Sequence, residues 1–590
     1  MAVDFIVLIC SLKPKKMHVN PHCNQPPEGS GNQETSMTKD PATTVALNEV
    51  LPAKDTIKKI TVRTVVLDLL RAFGMTTMFG NPGSTELGLF RDFPADFRYV
   101  LGLQEAVVVG MADGYAQATH NAAFVNLHSA AGVGHAMGNI FTAHKNQTPM
   151  VITAGQQARS ILPFDPFLFS GQATELPKPY VKWSVEPARA EDVPLALARA
   201  YYIAMQEPRG PVLVSIPADD WDCLAEPVLP RVVSTEFRPE PQVLGLIGDA
   251  LDASRRPAIV VGTSVDRCQA WDAVVALAER HNASVWVAPM SGRCGFPEDH
   301  RLFAGFLPAM REKIVQLLQG HDYILAVGAP AFIYHVEGHG PHVPAGATLG
   351  QLIDDPTVAA WTPVGTTAVG NIRLAVQDLM ARPVSPQQAA RALPPPRAAR
   401  PLASAPADGE LMSVAYVLQT LTGLRARDSI VVEEAPTARS VMHAYLPMWQ
   451  SGGFYTMCSG GLGHSMPAAV GVALAEAQKN SGRKVIGLIG DGSSMYSIQA
   501  LWSAAQLNLP ITFVILKNRR YAALQDFAPV FGFEPGEALQ GTDLPGIDFV
   551  ALARGQGCEA VTVRDAGQLA DVLQTALVAT RPTLVEVDVA

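Results

Sequence analysis

Charge is scarce in this sequence: Asp, Glu, Lys and Arg make up 17% of the 590 residues, below the roughly 25% usual in soluble domains. With hydrophobic residues at 48%, much surface is expected to be buried between domains or subunits, and an oligomer is expected. The net charge of -9 is spread without a basic stripe, which argues against a nucleic-acid partner. No apolar run approaches the roughly 20 residues that cross a bilayer, so no membrane partner is expected. The apolar stretch Ala2 to Cys10 is short and is followed by Lys13-Pro14-Lys15-Lys16, the reverse of signal-peptide order. The 7 cysteines lie far apart, without CxxC or close pairing with histidine, which disfavours zinc and fits a reducing cytoplasm. The absence of a GxGxxG opening a helix after a strand excludes a nicotinamide Rossmann enzyme.

What is present has a regular organisation. Residues 1–58 read as a disordered leader: from about Pro14 the composition is rich in Pro, Asn, Thr, Ser and Gly and too poor in apolar residues to offset chain entropy. Met37 is a plausible alternative start. From Thr61 onward apolar strands alternate with amphipathic helical stretches, a pattern that predicts α/β domains, each with a mostly parallel sheet flanked by helices. Two Pro-rich links divide them. An N-terminal domain over residues 59–232, a middle domain over 242–382, an extended spacer over 383–408 and a C-terminal domain over 409–590 are expected. The first and third share similar length and pattern.

The strongest local signal is Gly490-Asp491-Gly492-Ser493, after the strand KVIGLI and before SIQALWSAAQLN. Ligands of open α/β sheets bind at the carboxyl ends of strands. Glycines on both sides of Asp491 let backbone approach an anion, and the carboxylate offers a hard oxygen to a magnesium ion carrying a diphosphate. One helix later the strand ITFVIL ends in Lys517-Asn518, bringing an amide oxygen to the same edge. In the N-terminal domain, Asn81-Pro82-Gly83-Ser84-Thr85-Glu86 follows a strand, Gln104-Glu105-Ala106 opens a helix, and His128 lies in the turn of Asn126-Leu127-His128-Ser129. Each has an ordinary reading as well: Gly-Asp-Gly is a common turn, Glu105 a helix-start carboxylate, His128 a loop histidine.

Their joint occurrence, with FGNPGSTEL, GMADGYAQAT, NLHSAAG, TAGQQAR, Tyr334-His335, GGLG, GDGS and LPGIDF, resembles the benzoylformate decarboxylase family of thiamine diphosphate-dependent 2-keto acid decarboxylases, from about Thr61 to the C-terminus. The resemblance implies thiamine diphosphate and Mg2+ as cofactors, with Asp491, Asn518 and the Arg520 carbonyl on the metal. It places Gly460, Leu462, Gly492, Ser493 and Tyr521 against the cofactor, with Leu462 holding it bent. Glu105 is implied to contact the pyrimidine ring, where desolvation is expected to outweigh the pull of the helix N-terminus. Ser84 is implied to hold the substrate carboxylate, His128 to manage the proton on the former keto oxygen, and His335 to deliver a proton to the carbon that lost carbon dioxide. The small-molecule substrate is expected to be benzoylformate or a similar aromatic acid.

A homotetramer, a dimer of dimers with sites between subunits, is likewise implied. Leu524, Phe527 and Thr456 are expected on the substrate-pocket wall; Thr456 stands where the family has an aromatic residue, which predicts a wider or more polar pocket. Lys517, Arg519 and Arg520 replace smaller residues, and their charge is expected to strengthen cofactor binding. The rival expectations are a carboligase like acetolactate synthase, an acyl-CoA-acting relative, and a silent scaffold.

Overall fold

A computed structural model describes residues 58–407, 409–534 and 536–590; the expected leader lies outside this range except for its last residue. No helix among the described residues is long and apolar enough to cross a membrane. Buried strands alternating with helices build three six-stranded sheets, in which every pairing is parallel. The N-terminal sheet uses β1 (Thr77–Gly80), β2 (Arg98–Leu101), β3 (Ala123–Leu127), β4 (Met150–Gln156), β5 (Ser184–Val185) and β6 (Pro211–Pro217), in the order β2-β1-β3-β4-β6-β5. The middle sheet uses β7 (Pro257–Val261), β8 (Ser284–Val287), β9 (Phe303–Phe306), β10 (Tyr323–Val327), β11 (Thr348–Ile353) and β12 (Thr366–Val369), ordered β9-β8-β7-β10-β11-β12. In the C-terminal sheet β13 (Ile430–Glu434), β14 (Phe454–Thr456), β15 (Val485–Gly490), β16 (Thr512–Lys517), β17 (Glu559–Val563) and β18 (Thr583–Asp588) lie as β14-β13-β15-β16-β18-β17.

The first and third sheets therefore have the same winding. In both, the order reverses between the first and third strands, and such a switch point opens a crevice at the strands' carboxyl ends. Ser84 and His128 follow β1 and β3, and Asp491 follows β15, so the sheet order carries all three to switch points.

Helices α1 (Glu105–Thr119), α2 (Ser129–Asn146) and α3 (Ser465–Lys479) join the two outer sheets into one core. The Gln104 side chain caps α1 by accepting the N–H groups of Ala106 and Val107 at 2.7 and 3.2 Å, which fixes the helix to begin at Glu105. Where α1 crosses α3 the backbones touch. A Cβ on Gly114 would lie 2.1 Å from the Ala468 carbonyl oxygen, and one on Gly471 would lie 1.9 Å from that of Met111, so only glycine fits. Beside this crossing His464 Nε2 sits 3.2 Å from Asp113 Oδ1, both side chains fully buried. Burial pulls the imidazole down, but the Asp113 charge and hydrogen bond leave it above its ordinary value.

The spacer is less extended than its composition predicts. Pro386–Ala389 forms a helical turn capped by Ser385, and the buried Arg391 guanidinium donates to the Leu251 carbonyl at 3.1 Å and the His281 carbonyl at 2.9 Å. Satisfied backbone carbonyls thus pin this stretch against the middle domain.

Candidate active site

A cavity of about 700 Å³ opens at the carboxyl edge of the C-terminal sheet. Asp491 stands on its wall directly after β15, only 5% exposed. Its Oδ1 accepts the Gly492 N–H at 2.8 Å and its Oδ2 the Arg519 N–H at 2.6 Å. These bonds aim the carboxylate while leaving lone pairs free. Burial raises the Asp491 pKa against the pull of those backbone donors. Asn518 follows β16 on the same wall, its Oδ1 accepting the Arg520 N–H at 3.1 Å. Arg519 between them has φ of 60°, a left-handed turn that few non-glycine residues adopt and that folds the loop back onto Asp491.

Gly492 is required by its neighbour: a Cβ there would lie 2.3 Å from the Tyr521 ring. Ser493, Tyr521, Gly460 and Leu462 line the cavity, as do Leu524 and Phe527. Arg520 is on the wall as well. His335 reaches it from the middle domain, its ring 4.8 Å from that of Phe527. The donor set of Asp491 and Asn518 is all oxygen, which fits a hard divalent cation bearing a phosphorylated ligand. Eleven of the fifteen residues singled out by sequence share this one cavity.

Ser84, Glu105 and His128 do not line it; they follow strands β1, β2 and β3 of the N-terminal sheet. Glu105 is 13% exposed at the side chain, with Oε2 at 3.1 Å from His135 Nδ1. His128 is held by a residue the sequence reading passed over. Glu86, 1% exposed, places Oε2 at 2.9 Å from His128 Nδ1 and accepts the Gly83 N–H at 2.8 Å. Thr85 donates its hydroxyl to Glu86 Oε1 at 2.7 Å and lies 3.1 Å from the same ring nitrogen. The signal was available, since a Gly-x-x-Glu after a strand has capping-box spacing. Glu434 was also missed. At the end of β13 it accepts the N–H groups of Gly463, His464 and Ser465 at 2.5, 2.9 and 2.6 Å, fixing the turn that carries Gly460 and Leu462.

Two expectations are corrected. Thr456 is not on the wall of this cavity. It is 2% exposed, donates its hydroxyl to the Glu433 carbonyl at 2.8 Å, and lines a separate cavity instead, because its strand position turns it toward β13. Lys517 and Arg519 do not present free charge to a cofactor. Lys517 pairs with Glu586 at 3.0 Å and Arg519 with Asp588 at 2.8 Å, two carboxylates on the neighbouring strand β18 that neutralise them.

The chain is similar to known proteins over most of its length. Three family models match: the thiamine pyrophosphate enzyme N-terminal TPP binding domain over residues 60–174, the central domain over 246–379 and the C-terminal TPP binding domain over 437–587. Benzoylformate decarboxylase of Pseudomonas aeruginosa is 46% identical over 89% of this chain and 98% of its own length. Acetolactate synthase large subunit of Parasynechococcus marenigrum is 28% identical over 89% of this chain and 86% of its own. Among solved structures, benzoylformate decarboxylase from Polynucleobacter necessarius superposes with a TM-score of 0.85 at 39% identity, covering 90% of this chain and 98% of that one. Thiamine diphosphate-dependent 4-hydroxybenzoylformate decarboxylase from Rhodococcus jostii gives 0.85 at 40% identity, covering 90% and 99%.

Proposed function

The chain belongs to the thiamine pyrophosphate enzymes, and from that premise we propose that it releases carbon dioxide non-oxidatively from an aromatic 2-keto acid of the benzoylformate class, leaving the aldehyde. The observation that carries this reading is the shared wall of the 700 Å³ cavity, where oxygen donors Asp491 and Asn518 meet an imidazole, His335, and the apolar side chains Leu462, Leu524 and Phe527. A diphosphate cofactor, a proton donor and an aryl group are each provided for.

In this reading Asp491, Asn518 and the Arg520 carbonyl hold Mg2+, and Gly492, Ser493 and Tyr521 flank the diphosphate it anchors. Leu462 and Gly460 orient the ring system. Thiamine diphosphate, once bound, supplies the attacking carbon and accepts the electron pair set free with carbon dioxide. The protein handles the protons. Ser84 binds the substrate carboxylate, and His128, oriented by Glu86, manages the proton on the former keto oxygen. His335 delivers a proton to the carbon that lost carbon dioxide, and Glu105 exchanges one with the cofactor's pyrimidine ring. Because Ser84, Glu105 and His128 do not line the cavity in one chain, a second subunit supplies them in this reading, in a homodimer, two of which make the tetramer.

Release of carbon dioxide from a panel of aromatic and aliphatic 2-keto acids, with and without thiamine diphosphate and Mg2+, tests the proposal. Phenylglyoxylate is expected to be consumed only when both cofactors are present, with straight-chain acids slower. Silence toward every aromatic acid, in protein shown calorimetrically to have bound the cofactor, would sink it.

A further inference from the structure

At the opposite end of the middle sheet, where β7, β8 and β9 begin, a second cavity of about 410 Å³ lies under the spacer. It shares no wall residue with the cavity at Asp491. Four arginines line it: Arg255 and Arg256 before β7, Arg301 before β9, and Arg397 from the spacer. Among the described residues none of the four has an ion-pair partner. Their neighbours differ. Arg382 pairs with Asp249 and Asp252, and Arg400 with Glu298.

A nearby carboxylate, Asp322, is turned to other donors, accepting the Ser254 hydroxyl at 2.5 Å and the backbone N–H groups of Arg255 and Arg256 at 2.7 and 3.0 Å. Four like charges lining a cleft with no carboxylate among the described residues of its wall repel one another, and a guanidinium's fork of N–H donors matches phosphate oxygens in pairs. Part of the wall is apolar and aromatic, formed by Trp286, Phe303, Leu393 and Pro394, and the Arg397 guanidinium lies over the Phe303 ring, 5.2 Å from its centroid. Guanidiniums and rings on the same wall suit a phosphorylated ligand with a flat aromatic group, and the volume is within the range of small-molecule clefts.

We propose that this cavity binds a nucleoside mono- or diphosphate, the phosphates held by Arg255, Arg256, Arg301 and Arg397 and the base against Trp286. Because Arg397, Leu393 and Pro394 belong to the spacer, the ligand fastens the spacer to the middle sheet and so ties the middle and C-terminal domains together.

Titration calorimetry on the holoenzyme tests this, with thiamine diphosphate and Mg2+ saturating so that the cofactor cavity is closed to added phosphate. ADP is expected to bind once per chain and to lose at least tenfold in affinity, on the order expected for lost charge-assisted bonds, in the Arg255→Gln/Arg301→Gln double variant. Both arginines are exposed, so folding and carbon dioxide release are expected to be retained. A change in tryptophan fluorescence on adding ADP should vanish in Trp286→Phe. Inorganic pyrophosphate, run in parallel, is expected to bind more weakly than ADP; equal binding would strike the nucleoside from the assignment. Absence of ADP binding to the holoenzyme, or unchanged affinity in the double variant, would overturn the site.

Discussion

At the residue scale, a buried carboxylate and the imidazole beside it act as a unit. His128 is held by Glu86 and Thr85 through one ring nitrogen, which leaves the other to face a ligand. Glu86→Gln is expected to lower kcat by about tenfold or more, within the usual range for an impaired proton-transfer group, with KM little changed. Glu105→Gln should cost more, about 10²–10⁴-fold in carbon dioxide release, with an unaltered melting temperature. A larger loss of Tm than of rate would make Glu105 a structural residue. The His464–Asp113 pair belongs to stability rather than chemistry. His464 has a folded pKa above its ordinary value of about 6.5, so the stability it contributes is fully present below about pH 6.5 and is lost as pH rises through the folded pKa. Asp113→Asn, which leaves a buried imidazole without its charge partner, is expected to destabilise by about 3–5 kcal/mol and to flatten the fall of Tm with pH above 6.5.

At the scale of elements, the crossing of α1 and α3 couples the two outer sheets. With Gly114 against the Ala468 carbonyl, Gly114→Ala must push backbone from backbone, an overpacking cost of about 1–3 kcal/mol or more. Denaturant unfolding of that variant should show the loss, whereas Gly134→Ala, on α2 with open space around its Cβ position, should unfold at or above the wild-type midpoint. The movement at Gly114 is also expected to reach the active site, because Asn139 on α2 donates both to the Ala106 carbonyl of α1 at 2.6 Å and to the Gly463 carbonyl beside Leu462 at 3.2 Å.

At the scale of the whole molecule, the two halves of the proposed site do not share one cavity wall within a chain. If a symmetric dimer joins them, each site takes Glu105 from one subunit and Asp491 from the other. Co-refolding inactive Glu105→Gln with inactive Asp491→Ala should then restore activity to about a quarter of wild type, since half the dimers carry one intact site of two under random pairing. No recovery, with mixed dimers demonstrated, would place the site within one chain. If Mg2+ sits at Asp491 as proposed, chelation should cost about 2.7 kcal/mol of stability at a hundredfold excess over Kd, read as a lower Tm, and Asp491→Ala should abolish the difference.

Read as a string, the chain determined by itself what depends on neighbours along it. Strand and helix identity followed from periodicity, as at Glu105–Thr119 and Thr512–Lys517, and Asp491 and Asn518 were legible because each sits immediately after an apolar strand. Resemblance extended that to His335 and Leu462. Tertiary structure alone decided what depends on neighbours across space. Thr456 faces Glu433 rather than the cavity, Lys517 and Arg519 are neutralised by Glu586 and Asp588, and His128 is governed by Glu86. The physical reason is common to all three: a side chain's charge and direction are set by what the sheet brings alongside it, and partners 23 to 69 positions away leave no periodic trace between them.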